Sequence, residues 1–154
     1  MKKKVNPIPK GYHTVTPYLT VEGVARLIEF LKKAFGARLK ERMIRPDGSI
    51  GHAEVVIGDS VVMMGDATEK YKAAPGKIYL YVKNTDLFYK KALAAGATST
   101  MEPQDMFWGD RNAGVKDPFG NEWWIATHKE DVPPKEMKKR AEAYFKKLSQ
   151  TSTG

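Results

Sequence analysis

Tyr18-Leu19-Thr20-Val21 is echoed downstream by Tyr79-Leu80-Tyr81-Val82, and the echo continues in register. Both stretches suit strands, whose successive side chains point to opposite faces. Each leads into a helical pattern closed by Gly-Ala, at Gly36-Ala37 and Gly96-Ala97. Further on, Gly58-Asp59-Ser60-Val61-Val62-Met63-Met64 is matched by Gly120-Asn121-Glu122-Trp123-Trp124-Ile125-Ala126, a turn followed by an apolar strand. Self-similarity at this spacing marks a duplicated structural unit.

Within the first copy, Val24, Leu27, Ile28, Leu31 and Phe35 share one helical face and leave Arg26, Lys32 and Lys33 to solvent. Gly36 supplies the backbone freedom of a helix C-cap, and a strand is expected over 39–44. Pro46-Asp47-Gly48-Ser49 signals a turn before strands over 51–57 and 60–64. The second copy repeats the order, with a strand at 78–82, a helix at 86–95, and strands near Thr98, at 112–115 and at 122–127. The expected fold is therefore α+β. Two tandem βαβββ units, 14–66 and 77–128, form a curved mixed sheet around a cavity within one domain spanning 1–130. Pro133-Pro134 opens a third, amphipathic helix in the segment 131–149, with Met137, Ala141, Tyr144, Phe145 and Leu148 along one stripe. Residues 150–154 read as a disordered tail.

Composition narrows the chemistry. A chain of 154 residues can bury one core without staples, and the absence of cysteine excludes disulfides, thiolate nucleophiles and Cys-ligated zinc. The basic start, Met1-Lys2-Lys3-Lys4, lacks the apolar stretch of a secretory signal, so a cytoplasmic protein with no membrane association is expected. The net charge of +8 gathers largely in that opening run and in Lys135, Lys138, Lys139, Arg140, Lys146 and Lys147. Two solvated basic ends explain it better than nucleic-acid binding. No Ser-His-acid order, Walker pattern or dinucleotide fingerprint is present.

Several stretches together point to a family. Pro17-Tyr18-Leu19 with Phe35-Gly36-Ala37, His52-Ala53-Glu54, Phe107-Trp108-Gly109-Asp110-Arg111, and Asp117-Pro118-Phe119-Gly120-Asn121 with Ala126-Thr127-His128 are the carriers. The chain resembles the vicinal oxygen chelate superfamily, which includes glyoxalase I, extradiol dioxygenases and bleomycin-resistance proteins, and within it the PhnB-like branch. The resemblance implies a ligand on the concave side of the sheet and a homodimer. In metal-dependent members it also implies a divalent ion held by His, Glu or Gln from four strands. Those four positions fall on Thr16, Val62, Lys77 and Trp124. Valine and indole carbon cannot coordinate, lysine would have to lose its proton, and a lone threonine is too weak. No metal cofactor is expected there.

Alternation along the strands then assigns faces. Ala53, Val55 and Ile57 pack toward the helices, which leaves His52, Glu54 and Val56 on the concave side. Leu19, Val21, Ile78, Leu80 and Val82 join the helix side, while Thr16, Tyr18, Thr20, Tyr79 and Tyr81 join the concave side with Trp124 and Met64. The expected ligand-binding set is Tyr18, His52, Glu54, Tyr79, Tyr81, Phe107, Trp108, Arg111 and Trp124. His52, Glu54 and Arg111 are the candidates for acid–base or charge-stabilising work. Each has a structural alternative: Glu54 can hold His52 to brace the sheet, and Arg111 can pair with Asp105 or Asp110 instead of clamping a carboxylate or phosphonate. His52 and Glu54 could seat a divalent ion, although two ligands seldom suffice. Two functions follow: a metal-free, aromatic-lined small-molecule binding protein, or a lyase, isomerase or dioxygenase-type enzyme using His52 and Glu54 with a relocated metal or none. A third is an interaction module that docks through the basic C-terminal helix. Asp117-Pro118-Phe119-Gly120-Asn121 is a structural turn.

Overall fold

Residues 1–152 are described by the computed structural model, and they form eight strands and three helices. The order is β1 (Tyr18–Val21), α1 (Val24–Phe35), β2 (Arg38–Ile44), β3 (Ile50–Ile57), β4 (Ser60–Asp66), β5 (Lys77–Tyr81), α2 (Thr85–Ala94), β6 (Thr98–Asp105), β7 (Asp110–Lys116), β8 (Glu122–His128) and α3 (Pro134–Thr151). The strands make two four-stranded mixed sheets, ordered β1-β4-β3-β2 and β5-β8-β7-β6. In each, the first strand lies parallel to the last of its unit and the remaining pairs are antiparallel. This is the expected pair of βαβββ units.

The helical stripe of α1 is buried together with Phe30 and Ala34. The helix stops where Gly36 turns left-handed at φ 67°, its N–H bonded to the Lys32 carbonyl at 3.1 Å and that of Ala37 to Leu31 at 3.2 Å. At the start of α2 the Asn84 side chain accepts from the Leu87 N–H at 3.1 Å. Leu19, Val21, Ala53, Val55 and Met64 from one sheet share a core with Val115, Trp123 and Ile125 from the other. Helices α1 and α2 pack together at the joint. Trp123 is fully buried, its ring 5.1 Å from that of Phe35.

Three expectations change. Strand β6 continues to Asp105 through Pro103, because it is an edge strand interrupted by register shifts, where proline's missing N–H breaks no ladder bond. Gln150 and Thr151, expected in a disordered tail, close α3, where the hydroxyls of Thr151 and Ser152 donate to the Leu148 carbonyl. Residues 153–154 of that tail lie outside the described residues. Met64, expected on the cavity wall, lies in the core beside Val62, and Met63 takes the concave place opposite Tyr18. The turn at 117–121 replaces the two-residue Gly58-Asp59 hairpin. Their glycines are therefore not equivalent, and aligning them slips β4 by one residue, which exchanges its faces.

The edge strand β2 carries Arg38, Lys40, Glu41 and Arg42 and two register shifts against β3. Among the described residues no helix is long and apolar enough to cross a membrane.

Candidate functional site

On the concave face of the N-terminal sheet, β3 projects His52 and Glu54 side by side, as residues two apart on a strand must. Glu54 is only 4% exposed. Tyr12, from the irregular lead-in to β1, donates to its Oε1, and Lys40 in turn donates to the Tyr12 hydroxyl. The other oxygen, Oε2, stands 3.1 Å from His52 Nε2. A carboxylate can only accept, so Nε2 carries a proton and, in the neutral ring, Nδ1 is left to accept from the Tyr18 hydroxyl at 3.3 Å. Burial disfavours the Glu54 charge, but the hydrogen bonds from Tyr12 and His52 outweigh it and hold the carboxyl below its usual value. Tyr18, His52 and Glu54 thus form one hydrogen-bonded row ending in a half-exposed phenol. Beside it lies a hollow of about 420 Å³ lined by Tyr18, Thr20, Arg45, Gly51, Gly65, Asp66 and Tyr71.

The C-terminal sheet carries a second cluster. Tyr79 Oη, Tyr81 Oη and Trp108 Nε1 converge on Asp110 Oδ2 at 3.2, 3.4 and 3.2 Å. His128 donates through Nδ1 to Asp110 Oδ1 at 2.8 Å, and its Nε2 lies 2.7 Å from Asp131. Those two carboxylates, Asp131 first, raise the His128 pKa. Burial, partly offset by Trp108 and reinforced by the Asp110 charge, pushes the Tyr79 hydroxyl up to about 12; burial and Asp110 raise Tyr81 as well. Both tyrosines are neutral donors at physiological pH. Trp124 stands opposite Tyr79 in the β5–β8 ladder, over Gly114, where an added Cβ would meet the indole ring at 2.8 Å. Phe107 meets Trp108 edge-on at 5.0 Å and Tyr144 of α3 at 5.1 Å, while Arg140 donates to its carbonyl and pairs with Glu130 and Glu136. Between the units a larger cleft of about 1150 Å³ is bordered by Thr16, Val61, Ile78, Tyr79, Tyr81 and His128 among others.

The expected site residues therefore fall into two groups: Tyr18, His52 and Glu54 on one sheet, and Tyr79, Tyr81, Trp108 and Trp124 on the other, with Phe107 just outside the second. Among the described residues no hydrogen bond joins the groups. Arg111 belongs to neither. Alternation along β7 turns it away from Asp110 and Asn112, and it is held by Asp86 at 2.6 Å and Asp105 at 3.2 Å, which raise its pKa. Asp105 is one of its two expected bracing partners, while Asp110 pairs with His128 instead. Sequence reasoning missed Tyr12, Lys40, Arg45 and the partnership of Asp110 with His128. The first comes from a segment without periodicity. Lys40 and Arg45 adjoin shifts in the β2–β3 register, where alternation fails.

The resemblance assigns metal-holding positions to Thr16, Val62, Lys77 and Trp124, and the β4 register moves the second of them to Met63. They do not fit an ion: Thr16 donates to the His13 carbonyl, Lys77 pairs with Glu122 at 3.2 Å, and a thioether and an indole are poor partners for a hard cation. Among the described residues no three His, Asp or Glu side chains are grouped to hold one elsewhere.

Paired βαβββ units, each with polar and aromatic side chains on one sheet face, define a duplicated α+β fold. The chain belongs to the Glyoxalase/Bleomycin resistance protein/Dioxygenase superfamily, whose family model matches residues 12–125. An uncharacterised protein of Mycobacterium bovis is 35% identical over 120 residues, covering 71% of this chain and 79% of the relative. Among solved structures, TioX from Micromonospora sp. ML1 superposes with a TM-score of 0.66 at 27% identity, covering 75% of this chain and 98% of TioX. A PhnB protein from Bacillus cereus gives a TM-score of 0.61 at 16% identity over 75% of this chain and 99% of its own, a likeness of fold alone.

Proposed function

We propose that this protein is a metal-free small-molecule binder whose ligand lies against the aromatic concave faces. The observation that carries the proposal is the row of exposed aromatic side chains there. Tyr18, Tyr79 and Tyr81, the last 68% exposed, offer ring faces with oriented hydroxyls where a binding surface would have them. Thr16, Met63, Lys77 and Trp124 support the absence of a resident ion, because their chemistry suits none. A second copy of the chain is the proposed cover. The apolar stripe of α3 has no buried residue, and Phe145 is 61% exposed, so homodimerisation through this face would remove it from water. Native mass spectrometry of the purified protein, with metal analysis and a thermal-shift screen of aromatic compounds, is the test. A co-purifying or stabilising aromatic molecule without metal supports the proposal; a stoichiometric divalent ion overturns it.

One observation favours a second activity at the same place. Tyr18, His52 and Glu54 stand in the order phenol, imidazole, carboxylate, in which the acid orients the base and the base polarises the hydroxyl. Such a row can move a proton to or from a bound ligand without a metal. His52→Ala would then abolish turnover with little change in melting temperature; equal loss of folding would mark the row as structural.

A further inference from the structure

We infer that the hollow beside Tyr18 is a site for a small organic carboxylate, with Arg45 as the residue that grips it. The inference rests on the concave face being the ligand surface and adds the class of ligand.

Arg111, the arginine that the sequence offers as an anion clamp, is occupied by two carboxylates. Arg45 is not. Its guanidinium is half-buried, donates to Ser49 Oγ at 3.1 Å and to the Asp66 carbonyl at a long 3.4 Å, and makes no ion pair among the described residues. A planar fork with unspent donors, facing a hollow of about 420 Å³, matches the geometry of a carboxylate. Asp66 lines the same hollow and, like Asp47, feels the Arg45 charge, but its two oxygens accept from the backbone N–H groups of Gly23 and Val24 and from that of Ile50. Backbone donors thus offset the Asp66 charge beside the guanidinium.

Two glycines keep the space open. A Cβ at Gly51 would come within 3.2 Å of Arg45 Nε, and one at Gly65 would come within 2.8 Å of the Tyr18 hydroxyl and 3.0 Å of the Gly51 carbonyl. Neither glycine has a left-handed φ, so backbone conformation does not account for them. What they share is clearance for the guanidinium and the phenol. Tyr71 closes the outer side, with the Lys70 ammonium 5.3 Å from its ring centre. A carboxylate held by Arg45 places its carbon skeleton against Tyr71 and Tyr18, within reach of the hydroxyl that His52 polarises.

Isothermal titration of the full-length protein with benzoate and with its neutral isostere benzamide tests this. Benzoate is expected to bind at least tenfold more tightly than benzamide and to shift the amide signals of Gly51 and Gly65 in nuclear magnetic resonance spectra. Arg45→Lys, which keeps the charge and loses the fork, should weaken benzoate at least tenfold, and Arg111→Gln should leave it unchanged. The amide shifts are read on the unaltered protein, so misfolding of an Arg45 variant cannot obscure the result. Equal affinity for the two compounds, or shifts confined to the C-terminal sheet, overturns the carboxylate site. If other aromatic compounds still bind, the proposed function stands without it; if neither benzoate nor any aromatic compound binds, both fall.

Discussion

Asp117→Asn should destabilise the protein far more than a change of one atom suggests. Asp117 Oδ1 accepts the backbone N–H groups of Phe119 and Asn121 at 2.8 and 3.0 Å. Its Oδ2 accepts Asn121 Nδ2 and Trp123 Nε1, both at 2.9 Å. Asn121 and Trp123 are completely buried, so no water can replace the acid. An asparagine keeps one oxygen, and its amide must face one of the two donor pairs. Two buried donors then lose their acceptor at roughly 1–3 kcal/mol each, or about 2–6 kcal/mol in all. With a urea m-value of about 2 kcal/mol/M, the unfolding midpoint should fall by about 1–3 M. Equilibrium urea unfolding followed by tryptophan fluorescence measures this directly. A midpoint shift under about 0.5 M, corresponding to about 1 kcal/mol at that m-value, would refute the account of the 117–121 turn as a buried carboxylate hub.

The remaining expectations concern the two concave clusters and α3. Glu54 has a lowered folded pKa, so its stabilisation is complete above the ordinary value of 4.5 and is lost as pH falls through the folded value. Glu54→Gln should flatten the acid limb of a melting-temperature profile, and an unchanged limb would count against the Tyr12–Glu54–His52 row. His128 has a raised pKa, so its stabilisation is complete below 6.5 and is lost as pH rises through the folded value. In His128→Ala the decline above pH 6.5 should shrink, and a persistent decline would point to another group. Gly114→Ala places a Cβ 2.5 Å from Thr100 Oγ1 and 2.8 Å from Trp124, an overpacking that should cost about 1–3 kcal/mol in chemical denaturation and displace the indole. Phe145→Asp should yield monomers in light scattering at micromolar concentration; an intact dimer would show that a different face pairs.

Much of this molecule can be read directly from residue order. The echo of Tyr18–Val21 in Tyr79–Val82, together with the helical stripe of α1, is enough to place both units and the helix-facing side of β3, because alternation and periodicity are local consequences of backbone geometry. The same rule grouped Tyr18 with His52 and Glu54. It failed at Met63 and Met64, where a two-residue hairpin and a longer turn stand at equivalent places and a gapless comparison cannot detect the slip. It was silent about Arg45, because a residue between a register shift and a turn has no face to inherit. Asp110 was visible only as the neighbour of Arg111. Its real partners are His128, Tyr79, Tyr81 and Trp108, most of them distant in sequence and brought to it by the sheet.

The outer edges of the two sheets bear on how the molecule survives at high concentration. An open strand is a template on which another chain can grow, and of the edge strands β1, β2, β5 and β6 the longest are β2 and β6. On β2 the charged side chains of Arg38, Lys40, Glu41 and Arg42 and two breaks in register deny an incoming strand a flat partner. On β6 the missing donor of Pro103 and its own register shifts do the same. Fibrillar growth is thereby disfavoured at these two edges. Aromatic side chains such as Tyr81 can then stand exposed without β2 or β6 seeding growth through the backbone.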